Sequence, residues 1–119
     1  MSTLVTSNIS DGTTSVGTGY VVNGSAKAWV NWNTITSHSV YKSLNVASIT
    51  DLGVGGTEVN FTSAMDSNDY ADILSSSDYM SATNNGNKAA SSCRCFTYTS
   101  SFSGVDVSQA SLSIHGDLA

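Results

Sequence analysis

At 119 residues, with a formal net charge of −5 and only 11% charged side chains, the chain is sized for one domain with its own core. The basic residues Lys27, Lys42, Lys88 and Arg94 are scattered, so no basic patch exists to neutralise phosphates, and nucleic acid is excluded as a partner. The start Met1–Asn8 lacks the basic and apolar regions of a secretion signal, and no window is long and apolar enough for a membrane span.

Ser, Thr, Asn and Gly dominate the rest and proline is absent. That composition suits a β-protein with hydroxylic faces and Gly/Asn turns. Residues 1–23 are thin in large apolar side chains (Leu4, Val5, Ile9, Val16, Tyr20, Val21, Val22) and are punctuated by Gly12, Gly17 and Gly19. They read as an extended arm with short strands at most, which needs a surface to lie on. Residues 24–119 form the domain itself.

Its first element is a strand over about 25–33. Ala26, Ala28, Val30 and Trp32 alternate with Lys27, Trp29 and Asn31, which is strand periodicity. An indole on each face predicts that both faces are covered, one by the core and one by a second layer or a sister copy. After the polar turn Asn33–His38, Val40, Lys42, Leu44 and Val46 alternate with Tyr41, Ser43 and Asn45 as a second strand. Ala47–Leu52 and Thr57–Thr62 flank Gly53-Val54-Gly55-Gly56 as a hairpin. Ser63–Asp69 reads as a polar link with one helical turn capped by Ser63. Tyr70–Ser75 is a strand, and Ser76–Ala89 a long loop around the turn signal Asn84-Asn85-Gly86-Asn87. Cys93–Ser101 alternates again, Gly104–Val107 is a turn or short edge, and Ala110–His115 is the last strand, closed by Gly116-Asp117. The sum is an all-β, antiparallel β-sandwich of about six to eight short strands with no amphipathic helix.

Few constellations carry chemistry. Cys93 and Cys95 share a strand face at a spacing too wide for an easy bridge, so they read as two small buried thiols. Asp66, Asp69 and Asp72 could offer oxygens to calcium, but the EF-hand pattern is missing and a polar turn is the plainer reading, so no metal site is assigned. His38 and His115 lack ligand spacing, no Gly-x-Ser-x-Gly elbow occurs, and the Gly53–Gly56 run lacks the Lys-Ser/Thr of a phosphate loop. No catalytic residue and no cofactor is assigned, and the chain is not expected to be an enzyme. Tyr41, Tyr70, Tyr79, Tyr98 and Phe102 could form a shallow sugar platform, although core and interface packing is their plainer role.

The order of motifs resembles a family of phage virion proteins, β-sandwich modules found at the distal ends of tail fibres and tailspikes and as small surface proteins of the particle. The resemblance is carried by Ala26–Asn33, Leu44–Asp51, Glu58–Met65, Asn68-Asp69-Tyr70 and Leu112–Asp117, and by the start Met1–Leu4 with Asn8–Gly12. It departs at Trp32, at Tyr41-Lys42, in the Ser/Asn-rich loop and at Cys93-Arg94-Cys95. It implies a homotrimer, with Trp29, Trp32, Tyr41 and Phe61 as interface or packing residues. Because the match begins at Met1 and leaves no shaft, the reading it favours is a capsid decoration or cement protein. Such a protein is made in the host cytoplasm and carried on the virion surface. Leu4, Val5, Ile9 and Val16 of the arm would then meet the major capsid protein, while Tyr79, Asn84 and Asn85 are candidate contacts to host-surface glycans. A tail-fibre or tailspike tip and a free lectin are the alternatives.

Overall fold

A computed structural model of the chain describes the backbone of residues 1–119 and the side chains of all but Asn84, Asn85 and Asn87. Ten strands and one short helix follow in the order β1 (Asn8–Ser10), β2 (Ser15–Gly17), α1 (Thr18–Gly24), β3 (Ala28–Asn33), β4 (Ser39–Leu44), β5 (Val46–Asp51), β6 (Gly56–Phe61), β7 (Ala71–Ser76), β8 (Met80–Ala89), β9 (Ser92–Tyr98) and β10 (Ala110–His115). Eight of the strands form two antiparallel four-stranded sheets, ordered β4-β3-β10-β7 and β5-β6-β9-β8, so the fold is all-β. β1 and β2 pair only with each other.

The alternation read in the Trp strand decides which indole is inside. Ala28, Val30 and Trp32 are buried, together with Ala110, Leu112 and Ile114 of β10. They join Val59 and Phe61 of β6, Cys93 and Cys95 of β9, and Met65, Tyr70 and Val107 in one core cluster to which both sheets contribute. The Trp32 indole N–H donates to Thr57 Oγ1 at 3.2 Å and satisfies its only polar atom inside the core. Phe61 meets Tyr70 edge-on, with ring centroids 5.9 Å apart, and the Tyr70 hydroxyl donates to Ser92 O at 2.9 Å.

Four sequence expectations are corrected. The run from Val40 to Val46 is not one strand. At Asn45 the backbone turns left-handed (φ 55°) and the chain passes from one sheet to the other. Asn tolerates that conformation, and its amide is used three times there: Nδ2 donates to Lys27 O and Ser63 O, and Oδ1 accepts from Ser63 N–H. The expected loop 76–89 is largely β8, paired to β9 with a register shift between Thr83 and Lys88. The Asn/Gly turn signal falls within that shift, so it marks an irregularity inside a strand. Ser63–Asp69 holds no helical turn. Met65 pairs in an isolated bridge with Leu118, and Asp66 N–H donates to Asp117 O at 2.9 Å, so the segment is bound to the C-terminus instead. The arm, finally, is not extended throughout: it closes a β1–β2 hairpin and then winds into α1.

Gly55 explains how the β5–β6 turn seats. Its φ is +75°, and a Cβ there would lie 2.5 Å from Thr97 O and 2.7 Å from Val105 N. Only glycine fits that approach. Gly55 N–H also donates to Asp106 Oδ1 at 2.9 Å.

The arm stands apart from the core. The radius of gyration is 16.5 Å and the extents are 50 × 28 × 25 Å. A compact chain of this length would have a radius of about 13–14 Å. No residue of 1–24 is buried, which accounts for the excess.

Candidate interaction surface

The outer face of the β4-β3-β10-β7 sheet is built in rows by its register. Leu44 lies opposite Trp29, Trp29 opposite Ser113, and Ser113 opposite Ile73, so one row crosses all four strands. Lys42, Asn31, Ser111 and Ser75 form the adjacent row in the same way. The first row is apolar apart from Ser113 and the second is wholly polar. Trp29 is 37% exposed and Ile73 63% exposed, flanking Ser113, while Asn31 Nδ2 donates to Ser111 Oγ at 2.6 Å in the polar row. Trp29, Asn31, Ile73, Ser75, Ser111 and Ser113 line a shallow groove of about 270 Å³.

The four residues expected at an interface or in packing therefore divide. Trp32 and Phe61 belong to the core. Trp32 is 1% exposed and cannot face a sister copy. Trp29 carries the outer face. Tyr41 is exposed at the sheet edge, where its hydroxyl accepts from Asn33 Nδ2 at 3.1 Å and donates to Ser108 O at 3.2 Å.

The arm is the second exposed apolar surface. Leu4, Val5, Ile9 and Val16 are all exposed, as are Tyr20, Val21 and Val22 of α1. Its hairpin turn is rigidified by Asp11, whose Oδ1 accepts from Thr13 N–H at 2.9 Å and Thr14 N–H at 2.8 Å. Those donors, Thr14 first, hold the Asp11 carboxyl below the ordinary carboxylate value.

The aromatic residues considered for sugars do not converge. Tyr70 is in the core, Tyr41 is on the other sheet's edge, and Tyr79 is exposed between β7 and β8. Tyr98 and Phe102 do share a groove, of about 510 Å³, lined also by Met80, Ser81 and Ala82. Phe96, which the sequence reading passed over, stacks on Tyr98 (centroids 6.2 Å, interplanar angle 18°). Phe102 is 78% exposed and held at φ +61°, an unfavourable backbone for a bulky side chain. The alternation Arg94, Phe96, Tyr98 carried the signal for this platform. The candidate glycan contacts Asn84 and Asn85 lie outside the described side chains.

Polar clusters are used structurally. Asp72 accepts from Lys88 Nζ at 2.8 Å and from Thr83 Oγ1, while Lys88 sits over the Tyr70 ring at 4.5 Å. Among the described residues no three His, Cys, Asp or Glu side chains are placed to hold a metal. Asp51, His38 and Thr57 line up, with Nδ1 3.5 Å from the carboxylate and Nε2 3.0 Å from the hydroxyl. Thr57 is buried and its oxygen already accepts from Trp32, so this chain braces the 34–38 turn against β6. Cys93 and Cys95 are free and buried. Their mutual hydrogen bond, then burial, pushes Cys95 well up, and the same bond draws Cys93 down. Burial, then Cys93, pushes the Tyr70 phenol above its ordinary range.

No family model, curated protein or solved structure matches this chain.

Proposed function

We propose that the protein is a structural subunit of a bacteriophage particle. In this reading it is a β-sandwich that associates as a homotrimer and decorates the outer shell, cementing the major capsid protein. The observation that carries the reading is the arm. The arm carries Leu4 and Val5 ahead of β1, Ile9 and Val16 in its hairpin and Tyr20, Val21 and Val22 in α1, yet buries none of them. Apolar side chains kept at a surface cost solubility unless a partner covers them. At roughly 1.5–3 kcal/mol for each fully covered side chain, seven of them suffice for stable docking even after ordering costs are deducted. The Trp29–Ile73 row supplies a separate surface for sister copies, and a closed ring of them would leave no growing end. The resemblance to virion surface modules supplies the particle as the setting.

The test is a count of copies per purified particle, paired with shell binding by the intact chain and by a chain lacking residues 1–24. A decoration protein is present in hundreds of copies, and only the intact chain binds. A few tens of copies at the tail would replace this reading with a receptor-binding tip. The Tyr98–Phe102 groove favours that second reading, because aromatic faces stack on sugars. A glycan array on the free protein addresses both that contact and a free lectin.

A further inference from the structure

α1 is a helix that its own sequence does not support. Thr18–Gly24 is seven residues long, contains two adjacent valines and two glycines, buries none of its residues, lacks a side-chain cap at Gly17 and has no basic residue in its last turn. Helices this short are marginal in water even when rich in alanine.

Two of its C-terminal carbonyls are nonetheless occupied by side chains of the body, beside the helix's own i→i−4 closing bond from the C-cap Ser25. Ser25 N–H donates to Val21 O at 3.1 Å. Lys27 Nζ donates to Val22 O. His115 Nδ1 lies 3.0 Å from Gly24 O, and because a carbonyl only accepts, the ring carries its hydrogen on Nδ1. The other ring nitrogen, Nε2, lies 3.1 Å from Ser113 Oγ, and the two contacts together fix the ring plane. Lys27 is equally well anchored. Its N–H donates to Ile114 O at 2.8 Å, its carbonyl accepts from Asn45 Nδ2 at 3.0 Å, and Nζ also donates to Ser25 O at 2.8 Å. A cation at this end also complements the helix dipole. Both side chains come from the body: Lys27 just precedes β3 and His115 ends β10, which neighbours it.

We propose that Lys27 and His115 are positioning residues that latch the C-terminal end of α1 to the body, keeping the helix formed and fixing the direction in which the arm leaves. The latch deepens the docking reading, on which its purpose rests: an arm already pointed at its partner loses less conformational freedom on binding.

The experiment is backbone amide relaxation on the free full-length chain, so its failure is separate from a failure of shell docking. In the unmodified protein, order parameters over 18–24 are expected near the rigid value of about 0.85, well above those of residues 1–5. In the double variant Lys27→Met, His115→Leu they fall below about 0.6, while β3 and β10 stay rigid. The pair Lys27→Arg, His115→Asn restores order, since Arg keeps the charge and the Asn amide nitrogen stands where Nδ1 stood. Lys27→Met on its own gives an intermediate loss and serves if the double variant fails to fold. Unchanged order over 18–24 in the variants, or an α1 in the unmodified protein as mobile as residues 1–5, overturns the latch.

Discussion

Trp32 and Thr57 join the two four-stranded sheets through the core. The indole N–H of β3 donates to the hydroxyl of β6 at 3.2 Å, and both residues are shut off from solvent. Three positions earlier in the chain, Trp29 points the other way and stays partly wet. One residue type therefore serves two purposes within a single strand, and substitutions separate them.

Trp32→Ala is expected to destabilise the fold by about 3–5 kcal/mol, the range for emptying a large aromatic site in a core. Trp29→Ala should cost about 1 kcal/mol or less in the isolated domain. Denaturant unfolding of the two variants side by side measures the contrast. Equal losses would contradict the assignment of faces.

Self-association should respond in the opposite order. Trp29→Ser with Ile73→Ser replaces the apolar row by hydroxyls on either side of Ser113 and is expected to leave a folded monomer. Sedimentation velocity across a concentration series reads the result. A trimer that survives the double change would move the interface elsewhere.

Removing residues 1–24 takes away no buried side chain. The truncated chain should keep its cooperative unfolding, with a stability change within about 1 kcal/mol, and should lose binding to purified shells. A shortened protein that no longer folds would show that the hairpin and α1 support the core.

Alkaline stability follows from the buried phenol and thiol. Tyr70 and Cys95 titrate from ordinary values of 10.0 and 9.0 when unfolded, and both are pushed upward in the fold. Their contribution is complete below about pH 9 and is lost as pH rises, because the unfolded chain then releases protons that the folded one retains. Cys93, drawn down by Cys95, opposes part of this loss. Melting temperature should fall from pH 9 to 11, and Tyr70→Phe should flatten the decline above pH 10. A flat profile in the unmodified protein would contradict the shifts.

Much of the sheet architecture was legible because strand alternation reports burial directly. Ala28-Trp29-Val30-Asn31-Trp32 and Ala110–His115 each show which side chains share a face, and β10 has the bounds its alternation gives. Alternation was silent where backbone pairing carries a strand with little apolar content, as in Met80–Ala89, whose hydroxyls and amides resemble those of a loop. It was also misleading at Asn45, since a continuous period-two pattern cannot reveal a one-residue change of sheet. The division of the indoles was open in the sequence because each face was equally aromatic; only the position of β6 behind Trp32 resolves it. α1 was invisible because the groups that stabilise it, Lys27 and His115, lie outside it, and His115 is 91 residues from its partner Gly24.

Three of the four outermost strands, β4, β5 and β8, meet their neighbours with a register shift. Such irregularities bend a sheet margin and spoil it as a template for further strands. Molecules of this kind are thereby steered away from edge-to-edge fibrous stacking even when crowded.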